Sequence, residues 1–188
     1  MSQKLSRRSF LKTAGAVAVA AAAMSTLTAC GGGGGSSTPT NNVNNKSTLG
    51  SVDVLDAAHT FSRSVDENKI PYKWHVNYGF SIKNNGDKDI AFGMNQIISK
   101  MDGADRLPTS VFQQVDENSW RGIEDLTVKK GETVKIRIRY DVSKETYEEW
   151  YKGEGNHSLE VTLINEGKKI TYKIGSDRKG TLSTVEDA

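Results

Sequence analysis

From Val52 onward the chain is governed by a two-residue period. Trp74, Val76, Tyr78, Phe80 and Ile82 fall on one side of an extended segment, and His75, Asn77, Gly79, Ser81 and Lys83 fall on the other. A strand with one buried face sorts side chains this way, whereas a helix would need a period of 3.6. The run ends at Asn84-Asn85-Gly86-Asp87, and an Asn-Gly pair accepts the positive φ angles of a tight hairpin turn. Ile90, Phe92 and Met94 then resume the alternation, so residues 73–83 and 88–98 are expected to form an antiparallel pair.

The same period returns downstream. Gly131-Glu132 introduces Val134, Ile136, Ile138, Tyr140 and Val142 against Lys135, Arg137 and Arg139. Leu159, Val161 and Leu163 lead through Glu166-Gly167-Lys168 to Ile170, Tyr172 and Ile174, which reads as a second hairpin. Weaker strands are expected over 52–63 and 111–115. The one helix is short: Ser143 caps Lys144 to Tyr151 and Gly153 stops it. About seven antiparallel strands with so little helix predict an all-β immunoglobulin-like sandwich over residues 52–175, and they exclude βαβ architectures with their nucleotide sites. Residues 176–188 read as a C-terminal tail.

The first fifty residues differ in kind. Residues 1–29 have a basic start, an apolar stretch from Thr13 to Leu27 and small residues before Cys30, the build of an export signal. Residues 30–51 are, after Cys30 and apart from Lys46, Gly, Ser, Thr, Pro and Asn, with Val43 and Leu49 as apolar interruptions, and read as a flexible linker. A coil of about 21 residues spans on the order of 25 Å and at most about 70 Å. Roughly 138 residues are then left for the globular part, enough for a single core.

Charge argues against nucleic acid. Of the 25 Lys and Arg residues, Lys4, Arg7, Arg8 and Lys12 lie in the leader, leaving 21 against 23 Asp and Glu. A mature chain slightly on the acidic side gathers no polyanion by its overall field. Cys30 is the only cysteine, which excludes an internal disulfide and any multi-cysteine metal site.

Two short motifs carry resemblances. Ser6-Arg7-Arg8-Ser9-Phe10-Leu11-Lys12 resembles the twin-arginine export motif, with Arg7, Arg8, Phe10 and Leu11 as its marks. That resemblance implies export of an already folded chain. Leu27-Thr28-Ala29-Cys30 resembles the bacterial lipobox, which implies a diacylglyceryl group on the Cys30 thiol and cleavage just before it. Dual acylation makes an anchor durable, because each buried methylene contributes about 0.8 kcal/mol and one chain alone holds weakly. The expected location is the cell membrane, on its extracytoplasmic side. The pattern "IKNNGDKDIAF", then "LTVKKGETVKIRIRYDV" and a closing hairpin, is similar to the small immunoglobulin-like domain of bacterial surface lipoproteins of poorly characterised function. That likeness implies a fold and no catalytic residue.

Candidate chemistry is sparse. His59, His75 and His157 are the only histidines, none in a close ligand spacing, and they read as solvent-facing or loop residues. A copper site of cupredoxin type would need a thiolate, and the lipid takes Cys30. Asp102-Gly103-Ala104-Asp105 and Asp116-Glu117-Asn118 read as polar turns in preference to calcium loops. No Gly-x-Ser-x-Gly elbow presents a nucleophile. Lys135, Arg137 and Arg139 read as a solvated outer face, and Tyr147, Trp150 and Tyr151 as aromatics that close an end of the sandwich. The expectation is a lipid-anchored binding or structural module with no catalytic residue, cofactor or metal, working on a protein partner or surface ligand. The alternatives are an accessory subunit of an exported redox or surface complex and a small hydrolase with a dispersed site.

Overall fold

The computed structural model describes residues 40–43 and 46–188. The expected export motif, lipobox and lipidated Cys30 lie outside them. The strands are β1 (Thr40–Val43), β2 (Ser47–Leu49), β3 (Val52–Val65), β4 (Pro71–Asn84), β5 (Ile90–Gly93), β6 (Ile97–Met101), β7 (Ala104–Asp105) and β8 (Ser110–Gln114). They continue as β9 (Trp120–Ile123), β10 (Asp125–Val128), β11 (Thr133–Val142), β12 (Leu159–Asn165), β13 (Lys168–Ile174), β14 (Gly180–Leu182) and β15 (Glu186–Asp187). One α-helix, α1 (Lys144–Lys152), and a 3-10 turn at Met94–Gln96 complete the set.

A seven-stranded sheet runs β1-β3-β4-β11-β8-β9 with β2 also on β3, and a six-stranded sheet runs β14-β13-β12-β6-β7 with β15 also on β13. β5 and β10 pair separately. All pairings are antiparallel. The inner faces of the two large sheets share one apolar core, in which Tyr78 of β4 stacks on Tyr172 of β13 with ring centroids 4.6 Å apart. This is an all-β sandwich, as the alternation requires. The inward residues of β4 and β11 are those the two-residue period selects: Val76, Tyr78, Phe80 and Ile82 pair across to Tyr140, Ile138, Ile136 and Val134, all buried.

The expected pairing of 73–83 with 88–98 does not occur. β4 pairs with β3 and β11, while the chain after Asn84 crosses to β5 and then to the other sheet as β6. Neither Asn85 nor Gly86 adopts a positive φ, so no tight hairpin forms. Asn84 itself directs the crossover. Its fully buried amide donates to the carbonyls of Lys88 and Val128 at 2.8 and 2.9 Å, and its Oδ1 accepts from Gly86 N. A buried amide with its capacity used in this way is a fixed corner rather than a turn tip. The second expected hairpin does form: Asn165 pairs with Lys168, and Glu166 and Gly167 take positive φ between them.

The sandwich is larger than the span from 52 to 175. β1 and β2 lie within the segment whose composition reads as linker, and Leu49 there is buried. β14 and β15 lie in the segment read as tail. These short strands are added by pairing at the sheet edges: β1 and β2 pair with β3, and β14 and β15 with β13. The corner at Gly50 locks the sheets together, since Glu166 accepts from Ser51 N and Oγ, and Asn165 donates to Leu49 O.

α1 begins at Ser143, whose Oγ accepts from Thr146 N, and ends at Gly153 with φ 76°. Tyr147 and Trp150 are buried and Phe61 packs edge-on against both, so the helix aromatics close one end of the sandwich as expected. Trp150 Nε1 donates to Gly175 O at 2.8 Å, which ties the helix to the end of β13.

Candidate functional site on the outer face of the seven-stranded sheet

The outward residues of β3, β4, β8, β9 and β11 meet in cross-strand rows. Asn77 faces Arg139, and His75 faces Asp141. Ser62 faces His75, and Ser64 faces Lys73. Phe112 faces Arg137, and Gln114 faces Trp120. Long side chains at the flanks lie over short ones in the middle, so His75, Asn77, Ser81 and Arg137 are buried although no core residue is among them. The solvent-facing reading of His75 is therefore corrected, and so is the solvated reading of the basic stripe: of its three cations only Lys135 is exposed, Arg139 being half-buried and Arg137 buried.

Two guanidiniums lie on aromatic rings. Arg137 sits 3.8 Å from the centre of the Trp120 ring and Arg139 4.9 Å from that of Phe112. Contacts of this kind contribute about 0.5–2 kcal/mol each, more as they lose water. Arg139 Nε also donates to Asn77 Oδ1 at 3.3 Å, and Asn77 Nδ2 donates to Ser62 Oγ at 2.8 Å. Sequence alternation places the three basic residues together but carries no sign of the rings, because Phe112 and Trp120 come from short strands elsewhere in the chain.

One row down, Ser64 Oγ lies 2.8 Å from His75 Nε2, and His75 Nδ1 lies 2.7 Å from Asp141 Oδ1. Burial, and then the charge of Arg139, hold the His75 pKa below the ordinary histidine value, with Asp141 opposing them. Sequence reasoning missed this set because its members sit on three strands with no local motif.

The other two histidines differ. β3 carries a bulge between Leu55 and Ala58, with Asp56 at φ 54°, which shifts the alternation by one residue and turns His59 into the core. Its ring nitrogens meet Tyr172 Oη at 2.8 Å and Arg178 O at 3.1 Å, and burial pushes its pKa down to about 4. His157 bridges Glu149 Oε2 at 2.9 Å and Asp102 Oδ2 at 3.1 Å. Burial works against its charged form, but the bonds to Glu149 and then Asp102 outweigh it and raise the pKa.

The acidic turns behave as turns. Asp102 Oδ1 accepts from Ser158 N, and Asp116 Oδ1 accepts from Asn118 N and Ser119 N. Among the described residues no group of three or more His, Cys, Asp or Glu is placed to hold a metal ion. An open cleft of about 270 Å³ beside α1 is lined by Arg63, Tyr147, Glu148, Tyr151 and Lys152.

Comparison with known proteins bears on the two ends of the chain separately. Among solved structures, an uncharacterised β-sandwich protein from Clostridium difficile 630 aligns with a TM-score of 0.49 at 15% identity, covering 70% of this chain and 91% of its own. A functionally unknown protein from Listeria monocytogenes EGD-e aligns with a TM-score of 0.38 at 15% identity, covering 80% and 88%. No curated protein matches the chain. Residues 4–24 match the family of TAT (twin-arginine translocation) pathway signal sequences. The segment containing Arg7 and Arg8 is thus a twin-arginine signal, and the chain is an exported protein whose globular part is an antiparallel β-sandwich.

Proposed function

We propose that this protein is a lipid-anchored binding module of the cell envelope, held on the extracytoplasmic side of the membrane by a diacylglyceryl group on Cys30. The binding surface is the outer face of the seven-stranded sheet, and its partner carries negative charge, a protein segment or surface ligand rich in carboxylate or phosphate. The observation that supports this reading is the half-buried guanidinium of Arg139 laid on Phe112, with the exposed Lys135 on the same strand face and the buried Arg137 stacked on Trp120 between them. Stacking fixes the planar forks in advance, so less rotamer freedom is lost when an anion binds. Asp141 is the acid in the same rows, and His75 and Lys73 already face its carboxylate.

Crosslinking in intact cells, followed by identification of captured partners, tests the binding half. Capture should fall at least tenfold in Arg139→Ala, and unchanged capture overturns this choice of surface. For the anchor, Cys30→Ser should release the protein from membranes. Continued membrane retention of that variant rules the lipid out.

A further inference from the structure

The row Ser64, His75 and Asp141 has a chemistry that binding does not use. The Asp141 carboxylate can only accept a hydrogen bond, so the His75 nitrogen 2.7 Å from it, Nδ1, carries the ring proton. Nε2 is then a bare acceptor, and the Ser64 hydroxyl 2.8 Å away must donate to it. Direction and distance both match a serine polarised by a base whose tautomer is set by a third group. The ring is held firmly. His75 is only 2% exposed and lies between β3 and β11 in the middle of its strand neighbours. Asp141 is fixed in turn: Thr109 Oγ1 accepts from its N–H, and Arg106 donates to its carbonyl at 2.7 Å. Ser64 stands second from the end of β3, partly exposed. The ammonium-bearing side chain of Lys73 is its direct cross-strand neighbour, and Arg139 lies two residues along β11 from Asp141.

We propose that Ser64 is an activated nucleophile toward acyl esters whose leaving group or acyl part carries a negative charge. Ser64 Oγ adds to the ester carbonyl carbon while its proton passes to His75 Nε2. The tetrahedral adduct then expels the alkoxide, which takes the proton from His75, and leaves an acyl-serine. Water, deprotonated by the same nitrogen, cleaves that acyl group as the carboxylic acid and restores Ser64. Lys73, whose ammonium lies 3.8 Å from Asp141 Oδ2 and is largely exposed, is the cation that turns toward the developing oxyanion and the charge on the ester. Asp141 is a positioning residue that sets the tautomer. Burial and Arg139 keep His75 neutral and able to act as base near neutral pH. This inference stands independently of the anionic partner proposed above.

The test uses the purified full chain and a fluorophosphonate probe, with the modified peptide identified by mass spectrometry. One phosphonyl group on Ser64 is expected, lost in Ser64→Ala and formed at least ~100-fold more slowly in His75→Gln, the scale on which triad members act. Asp141→Asn should slow labelling in the same sense and shift the ¹⁵N imidazole signals of His75 toward the Nε2–H tautomer, a change that a purely structural role would not produce. Labelling of Ser64 no faster than the other serines, or at the same rate in His75→Gln, overturns the proposal. A second arm covers probes that fit poorly. In Ser64→Cys combined with Cys30→Ser, the introduced thiol is the chain's only one. It should react with iodoacetamide at pH 6 at least ~10-fold faster than an ordinary cysteine. Ordinary reactivity there overturns the proposal too.

Discussion

The two faces of the seven-stranded sheet are made from the same strands, alternate residue by alternate residue, yet they are organised by different rules. The inner face is apolar and is packed by shape: Val76, Tyr78, Phe80 and Ile82 meet Tyr140, Ile138, Ile136 and Val134 across the ladder. The outer face excludes water almost as well at His75, Asn77 and Arg137, but through hydrogen bonds and a stacked guanidinium. Burial in a sheet therefore does not require an apolar neighbour. Short polar residues between long flanking ones become dry, and each must then find a partner.

The sharpest contrast comes from substitutions that leave a hole or an orphan. Trp150→Ala, at the sealed end of the inner face, should lower stability by about 3–5 kcal/mol in denaturant unfolding, since it leaves a cavity and strands Gly175 O. A loss below about 1 kcal/mol would mean that the helix end is not part of the core. Asn84→Ala should cost about 2–4 kcal/mol, because the carbonyls of Lys88 and Val128 both lose their donor. On the outer face, Phe112→Ala should cost only about 1 kcal/mol, and an equal loss on both faces would mean that the two are packed alike. Tyr78→Phe should have the smallest effect, neutral or slightly stabilising, because Tyr78 Oη is buried with no hydrogen-bond partner among the described residues.

The histidines sharpen the comparison through pH. His59 has its folded pKa depressed from 6.5 to about 4, so the unfolded chain binds the proton first as pH falls. Its contribution to stability is present above about pH 6.5 and is lost on acidification toward pH 4. His157 has the opposite sign. Its folded pKa is raised, so its contribution is complete below the unfolded value and disappears as pH rises through the folded one. His157→Gln should flatten the alkaline side of the stability profile and leave the acid side unchanged. Urea midpoints measured from pH 4 to 9 would show both limbs, and a profile with neither would contradict the environments described.

The difference between faces also explains how far the sequence could be read. Alternation locates β4, β11, β12 and β13, the side each residue takes, and the capped helix after Ser143, because these depend on period and local chemistry. It does not give the partner of a strand. Asn-Gly after β4 has the composition of a hairpin, but the buried amide of Asn84 spends its bonds on Lys88 and Val128 and sends the chain to the other sheet. Nor does alternation survive a bulge: one extra residue near Asp56 reverses the parity of β3 and hides His59 in the core. The outer-face site was legible only as the stripe Lys135, Arg137 and Arg139. Ser64, His75 and Asp141 sit on three different strands, with Asp141 distant in the chain from the other two, and only strand register unites them.

Strand β1 starts at Thr40, on the edge of the seven-stranded sheet and in contact with β14 of the other sheet. With the proposed anchor at Cys30, nine residues would separate the lipid from that edge, where a linker running to Ser51 would have supplied more than twice as many. Chain geometry limits such a span to about 35 Å. The domain would then be moored by its flank near the bilayer, so any partner it engages has to be presented within a thin layer above the membrane.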